Sequence, residues 1–363
     1  MTREFRKNIQ GRGASSNTTD RFSALTYEAE PEDFDNYEDD KPRLKTEIFQ
    51  DHSKSIVTEN KSPDLGFNFS INAYRGCEHG CAYCYARPTH EYLGYSAGLD
   101  FESKIFVKEK APELLREALM KKSWQPETIT MSGVTDCYQP LERKMRLTRG
   151  CLEVLLEFRN PTAIITKNHL VLRDLDIFTE MAKYQGIFVM ISVTSLDAGL
   201  AKDLEPRTSQ PLARIKAIEA LAKAGVPVGV NVAPVIPGLT DHEMPAILKA
   251  ASEAGATIAG YTALRLPLSV APVFSEWLEV HRPLKREKVL SQIRDIRGGK
   301  LNDANFGSRM HGEGAVADNL EKMFHLYARK FGFNQKRISL SADHFKRPPK
   351  KTDQMSFQFD EED

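Results

Sequence analysis

Six short runs rich in β-branched and apolar residues recur at 67–74, 128–133, 163–166, 187–193, 226–232 and 257–264. Between them lie stretches with helical spacing, at 111–123, 150–158, 173–184, 211–224 and 244–254. Pro112 sits at an early helical position, and Gly186, Gly225 and Gly255 follow helical stretches where a left-handed cap is expected. Strand and helix in strict alternation predict a parallel sheet with crossover helices. That pattern fits an open doubly wound sheet or a partial (β/α) barrel, and periodicity does not separate the two.

The flanks read differently. Residues 1–60 carry an acidic run from Glu28 to Asp40 and few apolar residues, so they are expected to form a largely disordered arm or one draped over the core. Residues 61–270 form the core, and 271–340 a helical extension interrupted by a Gly-rich loop at 298–314. A tail at 341–363 holds Lys346-Arg347-Pro348-Pro349-Lys350-Lys351. Lys+Arg and Asp+Glu both number 50 in 363 residues, which argues against a globally basic nucleic-acid binder. Five cysteines at this length exclude a disulfide scaffold. No apolar run reaches the ~18 residues of a membrane helix. The opening MTREFRKNIQGRG lacks the apolar stretch of a secretion signal, so the reducing cytoplasm is the expected compartment.

Three of the five cysteines, Cys77, Cys81 and Cys84, are spaced C-x3-C-x2-C directly after the first expected strand. Thiolates this close can wrap one metal centre, and Gly76 and Gly80 let the loop turn tightly. Three thiolates complete neither a tetrahedral zinc site nor a four-cysteine cluster. Zinc needs a fourth ligand, with His79 and His90 nearest in sequence. A cubane iron–sulfur cluster held by three thiolates leaves one iron open to a small molecule.

The run Cys77-Glu78-His79-Gly80-Cys81-Ala82-Tyr83-Cys84, with an aromatic before its last cysteine, resembles the signature of the radical S-adenosylmethionine (radical SAM) enzymes. The resemblance spans roughly residues 65–270 and implies a partial (β/α)6 barrel of the TIM type. It implies a [4Fe-4S] cluster on Cys77, Cys81 and Cys84 whose open iron chelates S-adenosylmethionine. One-electron reduction, by flavodoxin or ferredoxin, then yields a 5′-deoxyadenosyl radical that takes a hydrogen atom from a substrate. Asn72-Ala73-Tyr74-Arg75-Gly76-Cys77 and Tyr83-Cys84-Tyr85-Ala86-Arg87 are similar to the group of spore photoproduct lyase and the DNA repair photolyase-like proteins. The runs from Arg75 to Asp100 and from Gly307 to Gly314 resemble an uncharacterised bacterial subfamily within it.

The same resemblance assigns cofactor contacts to Tyr83, Thr135, Asp136, Lys167 and Ser192. Asp136 is expected to accept from the methionyl ammonium, or else to close an Asx turn. Lys167 is expected to pair with the cofactor carboxylate, and Arg207 is a second candidate by its fork geometry. Val232 and Ile236 are candidates for flanking the adenine, and Arg265 for facing the substrate. The lyase's hydrogen-donating cysteine falls here on Gly133; Cys137 is either a displaced thiyl relay or a buried small apolar residue. Cys151 reads as core. Residues 281–300 carry seven Lys/Arg against two Asp/Glu. Arg282, Lys285, Arg286, Arg294 and Arg297, with Arg309 and Lys346-Arg347, form a candidate phosphate-binding stripe or a solvated helix face. The expected activity is radical chemistry on a nucleic acid. The alternatives are modification of a protein or small metabolite, or a non-catalytic, metal-stabilised binding protein.

Overall fold

A computed structural model describes residues 9–19, 21–22 and 44–349. Its strands run in chain order as β1 (Glu47–Gln50), β2 (Val57–Glu59), β3 (Phe69–Ile71), β4 (Tyr74–Arg75), β5 (Lys104–Val107), β6 (Ile129–Met131), β7 (Thr162–Thr166), β8 (Ile187–Ser192), β9 (Val228–Val235) and β10 (Ile258–Ala263). Seven of them form one sheet in the order β10-β9-β8-β7-β6-β3-β2. All neighbours from β3 to β10 are parallel, and β2 is added antiparallel at the edge. Each new parallel strand joins on the same side as the one before it. A doubly wound sheet reverses at a switch point; this one never does, so the winding is that of a barrel wall. No pairing joins β10 to β2 among the described residues, and the wall of six parallel strands stays open on one side.

The central strands are buried on both faces, which is why they read as apolar runs rather than alternations. Ile71, Met131, Ile164, Val189, Ile191, Val230 and Val232 share the main core. The crossover helices Ala111–Met120, Leu147–Phe158, Leu175–Ala182, Pro211–Lys223 and Met244–Glu253 cover the outside. Gly225 and Gly255 take the expected left-handed caps, with φ of 75° and 95°. At the third helix the left-handed residue is Gln185 instead of Gly186. Gly186 N–H donates to the Met181 carbonyl, five residues back, which places the turn one position earlier.

The flanks are more integrated than expected. β1 and β2 both lie within 1–60, and β1 joins β5 and β4 in a separate three-stranded sheet, where Phe49 stacks on Phe106. A strand of four residues carries too little pattern to be seen in sequence. The acidic run of the arm lies outside the described residues. In the expected tail, Phe345 packs near Phe158, and Arg347 donates to the carbonyls of Leu119, Lys121 and Trp124 at the end of a helix. Phe274, Trp277, Val289, Leu290 and Ile293 of the C-terminal extension pack with Ala82, Tyr83, Leu264 and Leu266. The extension is therefore built against the cysteine loop. No described helix is long and apolar enough to cross a membrane.

Candidate active site

The cysteine loop leaves β4 at the C-terminal ends of the parallel strands. Cys77 and Cys81 are buried and Cys84 half-buried. Gly76 and Gly80 both have positive φ, at 79° and 66°. A side chain at Gly76 would meet Phe101 and Ile105, and one at Gly80 would meet the Glu102 carboxylate. The glycines thus serve close approach as well as turning.

A buried ion pair that sequence reading missed sets the loop's shape. Arg87 donates to the carbonyls of Cys81, Ala97 and Gly98 and pairs with Glu102. Glu102 also accepts from the backbone N–H groups of Gly13 (3.0 Å) and Ala14 (2.8 Å). Residues 9–19 are thereby strapped across the cysteine loop, and Arg12 donates to the carbonyls of Glu102 and Leu44. A Cβ on Gly13 would run into the Gly80 carbonyl. The one sequence sign of this strap was glycine on both sides of an arginine, Gly11-Arg12-Gly13.

Among the described residues neither histidine converges with the cysteines as a fourth ligand. His79 is held between Asp136 (3.4 Å) and Asn168 (3.1 Å). His90 is enclosed by Tyr95, Phe101 and Phe106, and burial pushes its pKa down to about 4. Among the described residues no three His, Cys, Asp or Glu side chains converge on one point, as a single zinc ion would require. A four-iron cluster makes no such demand, because each thiolate goes to a different iron. Burial pushes the Cys77 thiol up to about 12 and raises Cys81 and Cys84, while the Lys167 ammonium pulls the last two back. Metal binding must displace these protons. Three thiols on one loop, with nearby positive charge and no fourth protein ligand, fit a cubane with one open iron.

The other candidates divide. The Lys167 ammonium lies 6.0 Å from the centre of the Tyr83 ring, and no acceptor or carboxylate engages it among the described residues. The Tyr83 hydroxyl is anchored on Thr194 and donates to Glu205. Glu205 pairs with Arg214, and both are about 1% exposed. Burial opposes ionisation of Glu205, but the charges of Arg214 and Lys167 outweigh it and hold its pKa below the usual range. Arg214 also donates to the Ser192 carbonyl, so the pair ties the end of β8 to the loop that follows; the Ser192 side chain is buried.

Four candidates have other work in this structure. Asp136 accepts from Tyr138 N–H and Thr166 hydroxyl on one oxygen and from Lys167 N–H on the other. With His79 beside it, its lone pairs are taken, and the Asx-turn reading describes it. The Thr135 hydroxyl donates to Gly76 carbonyl and accepts from Gln139, tethering the cysteine loop. Arg207 pairs with Glu78 at 3.1 Å, facing the strap. Cys137 is buried in the main core, its N–H bonded to the Ser132 hydroxyl. Cys151, Val232 and Ile236 are likewise core. The basic stripe is largely spent: Arg297 is buried on the carbonyls of Ala263, Leu264 and Ser308, Arg282 pairs with Asp203, Arg286 with Glu287 and Arg309 with Asp64.

Comparison with known proteins agrees with this architecture. The family model for the radical SAM superfamily matches residues 71–251. An uncharacterised protein of Mycobacterium tuberculosis is 37% identical over 242 residues, covering 65% of this chain and 70% of that one. One from Methanocaldococcus jannaschii is 34% identical over 199 residues, covering 55% and 71%. Among solved structures, spore photoproduct lyase complexed with dinucleoside spore photoproduct has the same fold, with a TM-score of 0.56, 17% identity, and 79% and 80% of the two chains covered. A variant of that enzyme with bound S-adenosylmethionine superposes with a TM-score of 0.55. Members of the superfamily use a [4Fe-4S] cluster with S-adenosylmethionine and need a reductant. With its cysteine loop at the mouth of an open barrel of six parallel strands, the chain belongs to the radical SAM superfamily and is a radical SAM enzyme.

Proposed function

We propose that Cys77, Cys81 and Cys84 hold the [4Fe-4S] cluster and that Lys167 binds the carboxylate of S-adenosylmethionine, for hydrogen abstraction from a nucleic acid. When bound, the cluster and cofactor supply reductive cleavage to a 5′-deoxyadenosyl radical. The observation that carries the reading is the Lys167 ammonium, unpaired among the described residues, near the ring of Tyr83, the neighbour of Cys84. A fixed anion is the natural partner for such a charge. Tyr83, locked on Glu205 and Thr194, walls one side of this space, and the buried Ser192 lies at the end of the neighbouring strand. Thr135, Asp136 and Arg207 act one step back. Thr135 and Asp136 hold the cysteine loop and the Lys167 backbone in place, and Arg207 fastens Glu78 beneath the strap. Cys137 serves packing.

The electron comes from a flavodoxin or ferredoxin, and an oxygen-sensitive cluster suits the cytoplasm. Nucleic acid is the substrate class to test first, given the subgroup motifs around the cysteines. The test is anaerobic reconstitution with iron and sulfide. The expected product is a brown, reducible protein that converts S-adenosylmethionine to 5′-deoxyadenosine, with both properties lost in Cys77→Ala. A colourless protein with one tightly bound zinc would overturn the reading.

A further inference from the structure

Among the described residues the mouth carries a second cation without a partner. Arg265 lies just past the end of β10, and its guanidinium meets no hydrogen-bond acceptor or carboxylate among the described residues. Arg297 clamps the carbonyls of Ala263 and Leu264 immediately before it, which fixes the backbone from which Arg265 projects. Its guanidinium lies 5.3 Å from the centre of the Tyr85 ring. The Tyr85 hydroxyl donates to the Gly133 carbonyl at 2.8 Å. Gly133 follows β6 and Arg265 follows β10, so Tyr85 reaches across the open barrel beside the last cysteine. Arg309, whose charge is felt at Arg265, is held by Asp64 through two 2.5 Å bonds and lies 4.8 Å from the Phe306 ring. That ion pair connects the 298–314 loop to the segment before β3 and so spans the side of the barrel where β10 and β2 do not meet.

A half-buried guanidinium with no counter-charge bound to it is costly unless an anion completes the group. Burial, and then the charge of Arg309, disfavour the Arg265 cation, and Asp64, already bound to Arg309, offsets only part of this. The flanking rings stay largely exposed despite these contacts: Tyr85 is 50% exposed and Phe306 59%. A carboxylate ligand would use the guanidinium forks but leave both rings bare. A nucleotide chain uses both, since phosphates meet arginine and bases stack on aromatic faces.

We infer that Tyr85, Arg265, Arg309 and Phe306 form a nucleotide-binding row along the open side of the barrel mouth, with Arg265 taking a phosphate and the two rings stacking bases. The inference rests on the proposed nucleic-acid substrate and locates its binding away from the basic helix.

The test uses the full-length, cluster-reconstituted protein and a fluorescein-labelled single-stranded oligothymidylate, read by anisotropy under anaerobic conditions. Wild-type binding is expected to weaken as salt rises. Arg265→Ala and Phe306→Ala should each weaken it about tenfold. Arg265→Lys, which keeps the charge but not the planar fork, should recover only part of the loss. Lys285→Ala, on the basic segment, should stay within about twofold of wild type, as expected for one exposed charge. Phe306 is exposed, so its variant reports binding even if Arg265→Ala folds poorly. The proposal is overturned if wild type fails to bind at low salt, or if Arg265→Ala and Phe306→Ala bind normally. It is also overturned if an oligoglutamate peptide displaces the probe as well as unlabelled oligothymidylate does. Binding and cofactor cleavage are separate readouts. Protein that binds as described but makes no 5′-deoxyadenosine supports the row and sinks the radical reading; protein that cleaves the cofactor but binds no oligonucleotide does the reverse.

Discussion

At the scale of single residues, the site separates charges that are spent from charges that are free. Asp136 and Arg207 both had the right chemistry for a cofactor's ionic groups. Each is occupied within the protein, Asp136 by backbone and hydroxyl donors and Arg207 by Glu78. Lys167 has the same kind of candidacy and no such partner among the described residues. The difference decides which substitution should read out as cofactor binding. Lys167→Met is expected to raise the KM for S-adenosylmethionine about 10- to 100-fold, the worth of one charge-assisted hydrogen bond, with a smaller fall in kcat. Arg207→Met should leave KM within about threefold, because its charge is spent on Glu78. Steady-state formation of 5′-deoxyadenosine measures both. Equal KM values in the two variants would reverse the assignment.

At the scale of elements, the cysteine loop is held by its neighbours rather than by regular structure of its own. Arg87 and Glu102 bind it from within, and the strap at 9–19 covers it from outside. The contact depends on a glycine, since any side chain at Gly13 meets the Gly80 backbone. Gly13→Val is therefore expected to lift the strap while leaving the barrel folded. In air the variant's cluster absorbance should decay several-fold faster than wild type. In the metal-free protein the amides of the cysteine loop should exchange faster with deuterium, as a locally opened segment does. Unchanged decay and unchanged exchange would show that the strap carries no protective role.

At the scale of the molecule, one buried ion pair joins the barrel to its mouth. Glu205 and Arg214 link the end of β8, Tyr83 and the segment after Leu204. The Glu205 pKa lies below its ordinary value of 4.5, so the stability it contributes is present above that pH and is lost as pH falls through the folded-state value. Glu205→Gln leaves Arg214 buried without a counter-charge and is expected to cost about 3–5 kcal/mol at neutral pH. The gap to wild type should narrow only as pH falls through the lowered folded-state value, where the wild-type carboxylate is also protonated. Urea melts at neutral pH and at successively more acidic pH test this. A gap that does not change with pH would mean that the pair's charge contributes nothing.

The sequence by itself determined the strand–helix alternation, the number of parallel strands and the cysteine trio. Each of these is a local pattern: apolar runs buried on both faces, helical spacing, and ligands within one short loop. The family resemblance supplied Lys167, and the end of the sixth expected strand supplied Arg265. The family resemblance already implied the partial barrel; the strap, the Arg87–Glu102 and Glu205–Arg214 pairs and the placement of Tyr85, Arg265 and Phe306 were decided only by the tertiary structure. Several of these join residues far apart in the chain, such as Gly13 with Glu102 or Asp64 with Arg309. Whether a charged side chain is free or spent depends on which distant partner the fold delivers to it. Composition and spacing hold no record of that partner, and so Asp136 and Lys167 looked alike until the chain was folded.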